Sequence, residues 1–168
     1  MRCLEVRTCI REVDVLSVEY SLEAELSQVR IPAQRGRRRA DELWRHTCFE
    51  AFLITDDSPG YYELNFSPSG EWAAYRFSAY RTGMAPADGV GIPEISLRTG
   101  QDRVQLDVAI AIAAIREATA PQSGVKLRIA IAAVIEDRNG ALSYWAQGHA
   151  SGKPDFHHPE HFAAEIPS

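Results

Sequence analysis

Glu50, Glu63 and Asn65, with Trp44, Tyr61, Trp72 and Arg76 around them, are the residues of this chain whose types and spacing best suit chemistry. Tyr61, Glu63, Asn65 and Ser67 recur at every second position, and Tyr62, Leu64 and Phe66 fill the places between. In an extended strand, alternate side chains point to opposite faces. The second set can then enter a core, while the first presents a ring, a carboxylate and an amide on one surface. Such a mixture holds small polar molecules: planar polar groups orient the ligand and a flat ring stacks on it. Two carboxylates also suit glycoside hydrolysis if they lie roughly 5 to 10 Å apart across a bound sugar. The plainer reading is a solvated strand face on which Arg76 is a cross-strand partner.

A second constellation lies in the tail, Lys153-Pro154-Asp155-Phe156-His157-His158. Prolines stiffen this segment and reduce the entropy lost on ordering it. Phe156 offers an apolar anchor, so Lys153, Asp155, His157 and His158 are expected to close over the sheet as a lid and complete the same pocket. His157, His158 and His161, with His149 and Glu160, also suggest a zinc site, and His157 and His161 have the three-residue gap it favours. Pro159 between the two disfavours a regular helix, and loop histidines with ordinary hydrogen bonds are the preferred reading. Cys48 with His46 suggests a nucleophile and its base. A neighbouring Glu50 would raise the thiol pKa rather than lower it, so a buried structural cysteine is preferred.

The elements that must position these groups read as strands. Leu4 to Ile10 opens the chain, and Leu16, Val18, Tyr20 and Leu22 alternate with polar residues over 13–24. Glu23 to Val29 allows a short helix, stopped by Ile31-Pro32. His46 to Ile54 puts Phe49, Ala51 and Leu53 on one side, with Cys48, Glu50 and Phe52 on the other. The turn Ser67-Pro68-Ser69-Gly70 folds two aromatic strands into a hairpin. After the connection 81–91 come strands at Ile92 to Arg98, Val104 to Ile110 and Val125 to Ile131. Asn139-Gly140 then turns the chain into Leu142 to Gln147. Ala109 to Thr119 is rich in alanine and has a helical alternative. The tail reads as loop. Eight or nine strands without βαβ rhythm predict an all-β antiparallel sandwich, with a closed barrel as the alternative.

The 168 residues fit one domain spanning 1–168. A hydrophobic content of 45% and charged content of 24% are those of a soluble globular protein. A net charge of -5 gives no general attraction to nucleic acid or anionic membrane. The run Arg35 to Arg39 reads as a solvated loop in preference to a phosphate site. No apolar stretch is long enough to span a bilayer. Three cysteines in no metal-ligand spacing argue against a disulfide framework and for a reducing cytoplasm.

The blocks LWRHTCFEAFL, YYELNFSPSGEWAAYRF and SGKPDFHHPEHF resemble a bacterial group of DOMON-like proteins. That group is similar to the family-nine carbohydrate-binding modules and to the DOMON domains named after dopamine β-monooxygenase. The resemblance spans the middle and end of the chain. It implies a jelly-roll-like or immunoglobulin-like β-sandwich whose relatives bind sugars or b-type haem. Trp44 matches the tryptophan preceding the strand, Glu50 its carboxylate, and Tyr62, Glu63 and Ser67-Pro68 the following segment. The sugar-binding relatives clamp a ligand between two tryptophans, and Trp72 and Trp145 are both candidates for the second. The haem-binding relatives use Met with His or Lys, and Met1 and Met84 are the methionines here.

These readings converge on a non-catalytic module for a small-molecule ligand, a sugar in the first place, with no metal or cofactor. The expected ligand residues are Trp44, Glu50, Tyr61, Glu63, Asn65, Trp72, Arg76, Lys153, Asp155, His157 and His158. The alternatives are a haem-binding redox module and, behind it, an enzyme acting on glycosides through Glu50 and Glu63.

Overall fold

Period-two alternation becomes two antiparallel sheets packed face to face. The structure, a computed structural model, describes residues 3–11, 14–55, 58–119, 126–146, 155–158, 162 and 164–166. One sheet has four strands in the order β1 (Cys3–Arg11), β2 (Val15–Glu23), β8 (Arg103–Ala111) and β7 (Glu94–Thr99). The other runs β10 (Leu142–Ala146), β9 (Leu127–Glu136), β3 (Cys48–Thr55), β4 (Tyr61–Phe66), β5 (Trp72–Phe77) and β6 (Ala85–Pro86). A last strand, β11 (Ala164–Ile166), joins β9 on the edge that β10 occupies further along. The result is a β-sandwich.

Between the sheets, Leu16, Val18, Tyr20 and Leu22 of β2 and Val104, Leu106, Val108 and Ile110 of β8 meet Phe49, Ala51 and Leu53 of β3 and Leu64 and Phe66 of β4. The Tyr20 hydroxyl crosses this core and donates to the backbone carbonyl of Glu50 at 2.9 Å. A second apolar cluster covers the outer face of the larger sheet, where Cys48, Phe52, Tyr61, Tyr75 and Phe77 meet Phe156 and Phe162 of the tail. That face is therefore not a solvated one, as the plainer reading had it.

Several expectations are refined. The alanine-rich segment divides, strand to Ala111 and then helix α1 (Ala113–Thr119). Glu23 to Val29 contains only a 3-10 turn at Leu26–Gln28, and β3 begins at Cys48 after another at Leu43–Arg45. Eleven strands appear among the described residues rather than eight or nine, the additions being β6 within the 81–91 connection and β11 within the tail. The hairpin turn ends on Gly70 at φ +86°, where an added Cβ would sit 3.3 Å from the backbone of Gly36. The loop before β3 packs on that turn, and Arg38 donates twice to the buried Glu71. Arg35 also lies by Glu71, Arg37 by Glu94 and Arg39 by Asp41, so the basic run is charge-compensated on an exposed loop.

Candidate functional site

Strand pairing decides which predicted residues can meet. β3 pairs with β4 so that Glu50 lies opposite Asn65, and Glu63 opposite Phe52. Glu50, Asn65 and Glu63 thus share the outer face, with the two carboxylates diagonal to each other across adjacent strands. Across the hairpin, Tyr61 pairs with Phe77 and Glu63 with Tyr75, while Trp72 pairs with Phe66 and Arg76 with Tyr62. Cross-strand partners share a face. Trp72 therefore belongs to the core between the sheets, and Arg76 is exposed on that opposite face. Neither reaches the carboxylates, which corrects both assignments. Trp145 also packs against the inter-sheet core, so the second tryptophan of a clamp is absent from this face among the described residues.

What remains forms a cleft of about 570 Å³ on the outer face. Glu50 and Glu63 lie in its lining. Trp44 comes from the turn before β3, held edge-on to Tyr75 with ring centroids 5.6 Å apart. Phe77, Met84, Tyr144 and Phe156 supply further apolar wall. Met84 and Tyr144 are 48% and 43% exposed, large apolar groups left open to solvent at the cleft.

The carboxylates are unusually buried for charged groups, Glu50 at 3% exposure and Glu63 at 5%. Asn65, fully buried between them, donates to Glu63 Oε1 at 2.7 Å and faces the Cys48 thiol through its own Oδ1 at 3.7 Å. Among the described residues, Glu50 Oε1 has no hydrogen-bond partner. Burial, reinforced by the nearby Glu63, pushes the Glu50 carboxyl well above the ordinary carboxylate range. Burial also raises Glu63, against the Asn65 hydrogen bond and the Arg81 charge. Cys48 is fully buried, its thiol pushed up by burial and by Glu50 and Glu63, and His46 turns instead to Glu136 at 2.8 Å. The preferred structural reading of this cysteine fits that environment.

The tail reaches the same face. Phe156 is buried in the outer cluster, as the anchor reading expected. His157 meets Tyr61 through Nδ1 at 2.7 Å and lies 3.8 Å from Glu63 through Nε2. Its ring stands edge-on to Phe52 and Phe77, 5.2 and 5.3 Å away. Burial, aided by the Arg81 charge, lowers its pKa to about 4, so the ring is neutral near pH 7. The Arg81 N–H donates to the Tyr61 oxygen at 3.3 Å. Asp155 is a tether rather than a cleft group: it accepts from Tyr80, from Arg81 at 2.7 Å and from the His157 N–H at 3.1 Å. Burial opposes ionisation of Asp155, but the Tyr80 and Arg81 hydrogen bonds hold its carboxyl below the usual range. His158 stands against the Tyr80 ring, away from the cleft lining. Lys153 lies outside the described residues, as do His149, Glu160 and His161 of the zinc reading. Among the described residues no three acidic, histidine or cysteine groups converge to hold a metal ion.

Sequence reasoning missed Phe77, Arg81, Met84 and Tyr144. Phe77 was within reach, since the turn fixes its pairing with Tyr61; the others arrive from a loop and from an unrelated strand. Arg81 takes a left-handed backbone at φ +52°, unusual for a residue with a side chain, and is fixed there by Asp155 and Tyr61.

No family model matches the chain, and no curated protein matches it. Among solved structures, it is similar to a protein of Bacteroides uniformis proposed to bind carbohydrate, with a TM-score of 0.59 and 17% identity over 89% of this chain and 71% of that one. A family-nine carbohydrate-binding module of Caldicellulosiruptor kristjanssonii, solved with glucose, overlaps with a TM-score of 0.47 and 13% identity over 85% of this chain and 64% of that one. The first of these likenesses is one of fold.

Proposed function

We propose that the protein is a non-catalytic carbohydrate-binding module whose ligand lies in the outer-face cleft. One observation carries the reading: Glu50, almost wholly buried and with Oε1 unpartnered among the described residues, lies in the lining of a cleft walled by aromatic rings. A buried polar atom without a partner is costly, and a ligand hydroxyl would relieve it. Trp44 and Tyr144 offer flat faces for a sugar ring, and the cleft volume is that of a small-ligand site. The carbohydrate assignment of the similarly folded Bacteroides protein agrees with this. Kinship with the DOMON-like group belongs to the same proposal, on the blocks around Trp44, Glu50 and Glu63.

Haem fits these residues less well. Met84 and His157 line one cleft, yet His157 Nδ1 is engaged by Tyr61 and Nε2 lies 3.8 Å from the Glu63 carboxylate. Catalysis by Glu50 and Glu63 ranks behind binding, because the similarly folded Bacteroides protein is one proposed to bind carbohydrate.

Titration of the purified protein with a panel of mono- and disaccharides, followed by tryptophan fluorescence, tests the reading. Saturable quenching that Trp44→Phe abolishes is expected. A stoichiometric Soret band on adding haemin, with no response to any sugar, would overturn it.

A further inference from the structure

We propose that the ligand carries an ammonium group, which under the carbohydrate reading makes it an amino sugar, with the ammonium seated on Glu50 and Glu63. The inference rests on the cleft being the ligand site, but it follows from a separate feature, the charge balance of that cleft. Two buried carboxylates approach each other diagonally, and a buried acid ordinarily has a cation of its own. Here the described partners of Glu63 are the Asn65 amide and the neutral His157, and Glu50 Oε1 has none. The two arginines of the cleft are committed elsewhere, Arg81 to Asp155 at 2.7 Å and Arg45 to Glu42 at 2.8 Å. Other buried acids of this chain are matched: Glu71 by Arg38 and Glu136 by Arg30. Among these the cleft pair alone is left without a committed arginine.

The walls suit a cation as well. Trp44, Phe77, Tyr144 and Phe156 line the same cleft as the pair, and aromatic faces attract an ammonium through their quadrupole. An ammonium also donates three hydrogen bonds, enough for one oxygen of Glu50 and one of Glu63 together. A neutral sugar would satisfy the same oxygens but leave the pair holding a proton. The groups facing the pair are the Cys48 thiol, the Tyr61 hydroxyl, His157 and, at the rim, Arg81 with its partner Asp155. Thiol, phenol and imidazole are neutral near pH 7, and Arg81 and Asp155 compensate each other. A bound cation therefore acts mainly on the carboxyl pair and expels the proton it holds.

Isothermal titration at pH 6.5 with glucosamine, glucose and N-acetylglucosamine distinguishes the cases. Glucosamine is expected to bind at least tenfold tighter than the other two. Repeating the titration in buffers of different ionisation enthalpy should show about one proton released per glucosamine and none per glucose. Glu50→Gln is expected to bring the glucosamine and glucose affinities within about threefold of each other, while the proton count is read on the unaltered protein whether or not that variant folds. Equal affinities for glucosamine and glucose without proton release would overturn the inference and leave the carbohydrate reading standing. Binding of none of the three sugars would overturn both.

Discussion

His157 Nδ1 lies 2.7 Å from the Tyr61 hydroxyl, and through that contact a segment near the end of the chain is fastened to the strand that carries Glu63. The hydroxyl has two duties, since it also accepts from the Arg81 N–H. Removing it takes a partner from two partly buried polar groups at once. Tyr61→Phe is expected to cost about 1 to 2 kcal/mol, lowering the melting temperature by roughly 2 to 8 °C for a chain of this size. Circular dichroism melting measures this; an unchanged midpoint would show that the tail is held by Phe156 and Phe162 alone.

Glu50 should destabilise the unliganded protein near neutral pH. Its folded pKa is raised above the unfolded value, so its contribution is fully favourable below about pH 4.3 and is lost as pH rises through the folded pKa. Glu50→Gln, which imitates the protonated acid, should therefore melt higher than the wild type at pH 7 and alike at pH 4. A gap that is constant with pH would mean that Glu50 is ionised and matched in the native state.

His157 acts in the other direction. Its folded pKa of about 4 lies below the unfolded value near 6.5, so its contribution is present above 6.5 and lost as pH falls toward 4. His157→Phe removes this dependence. Between pH 6.5 and 4 the variant should lose less stability than the wild type in urea titrations, and parallel losses would contradict the buried, neutral imidazole.

Phe162 is 1% exposed and edge-on to Phe52 with centroids 6.4 Å apart. Phe162→Ala should cost about 3 to 5 kcal/mol, which urea unfolding would register. A cost under about 1 kcal/mol would mean that the tail packs only loosely on the sheet.

Much of the site was legible because strand alternation is a strict rule. Once Tyr61, Glu63 and Asn65 are read on one face and Cys48, Glu50 and Phe52 on another strand's face, their meeting needs only that β3 and β4 be neighbours. Trp72 and Arg76 were misplaced because their face depends on pairing across the hairpin rather than on their own spacing. With Phe66 opposite Trp72, every even-numbered residue of β5 goes to the inter-sheet side. Burial was harder to foresee. Glu50 and Asn65 look like surface residues in composition, and what covers them, the tail and the Trp44 turn, lies far away in sequence. The short strand β11 has no alternation long enough to read.

The outer-face carboxylates have a consequence for how the protein avoids misfolding. If β4 slid along β3 by a single residue, Leu64 and Phe66 would leave the core, and Glu63 and Asn65 would be driven between the sheets among leucines and valines. An unpartnered carboxylate there would cost several kcal/mol, so the mispaired arrangement is strongly excluded. The groups that make the cleft fit to hold a ligand thereby proofread the assembly of the sheet that carries it.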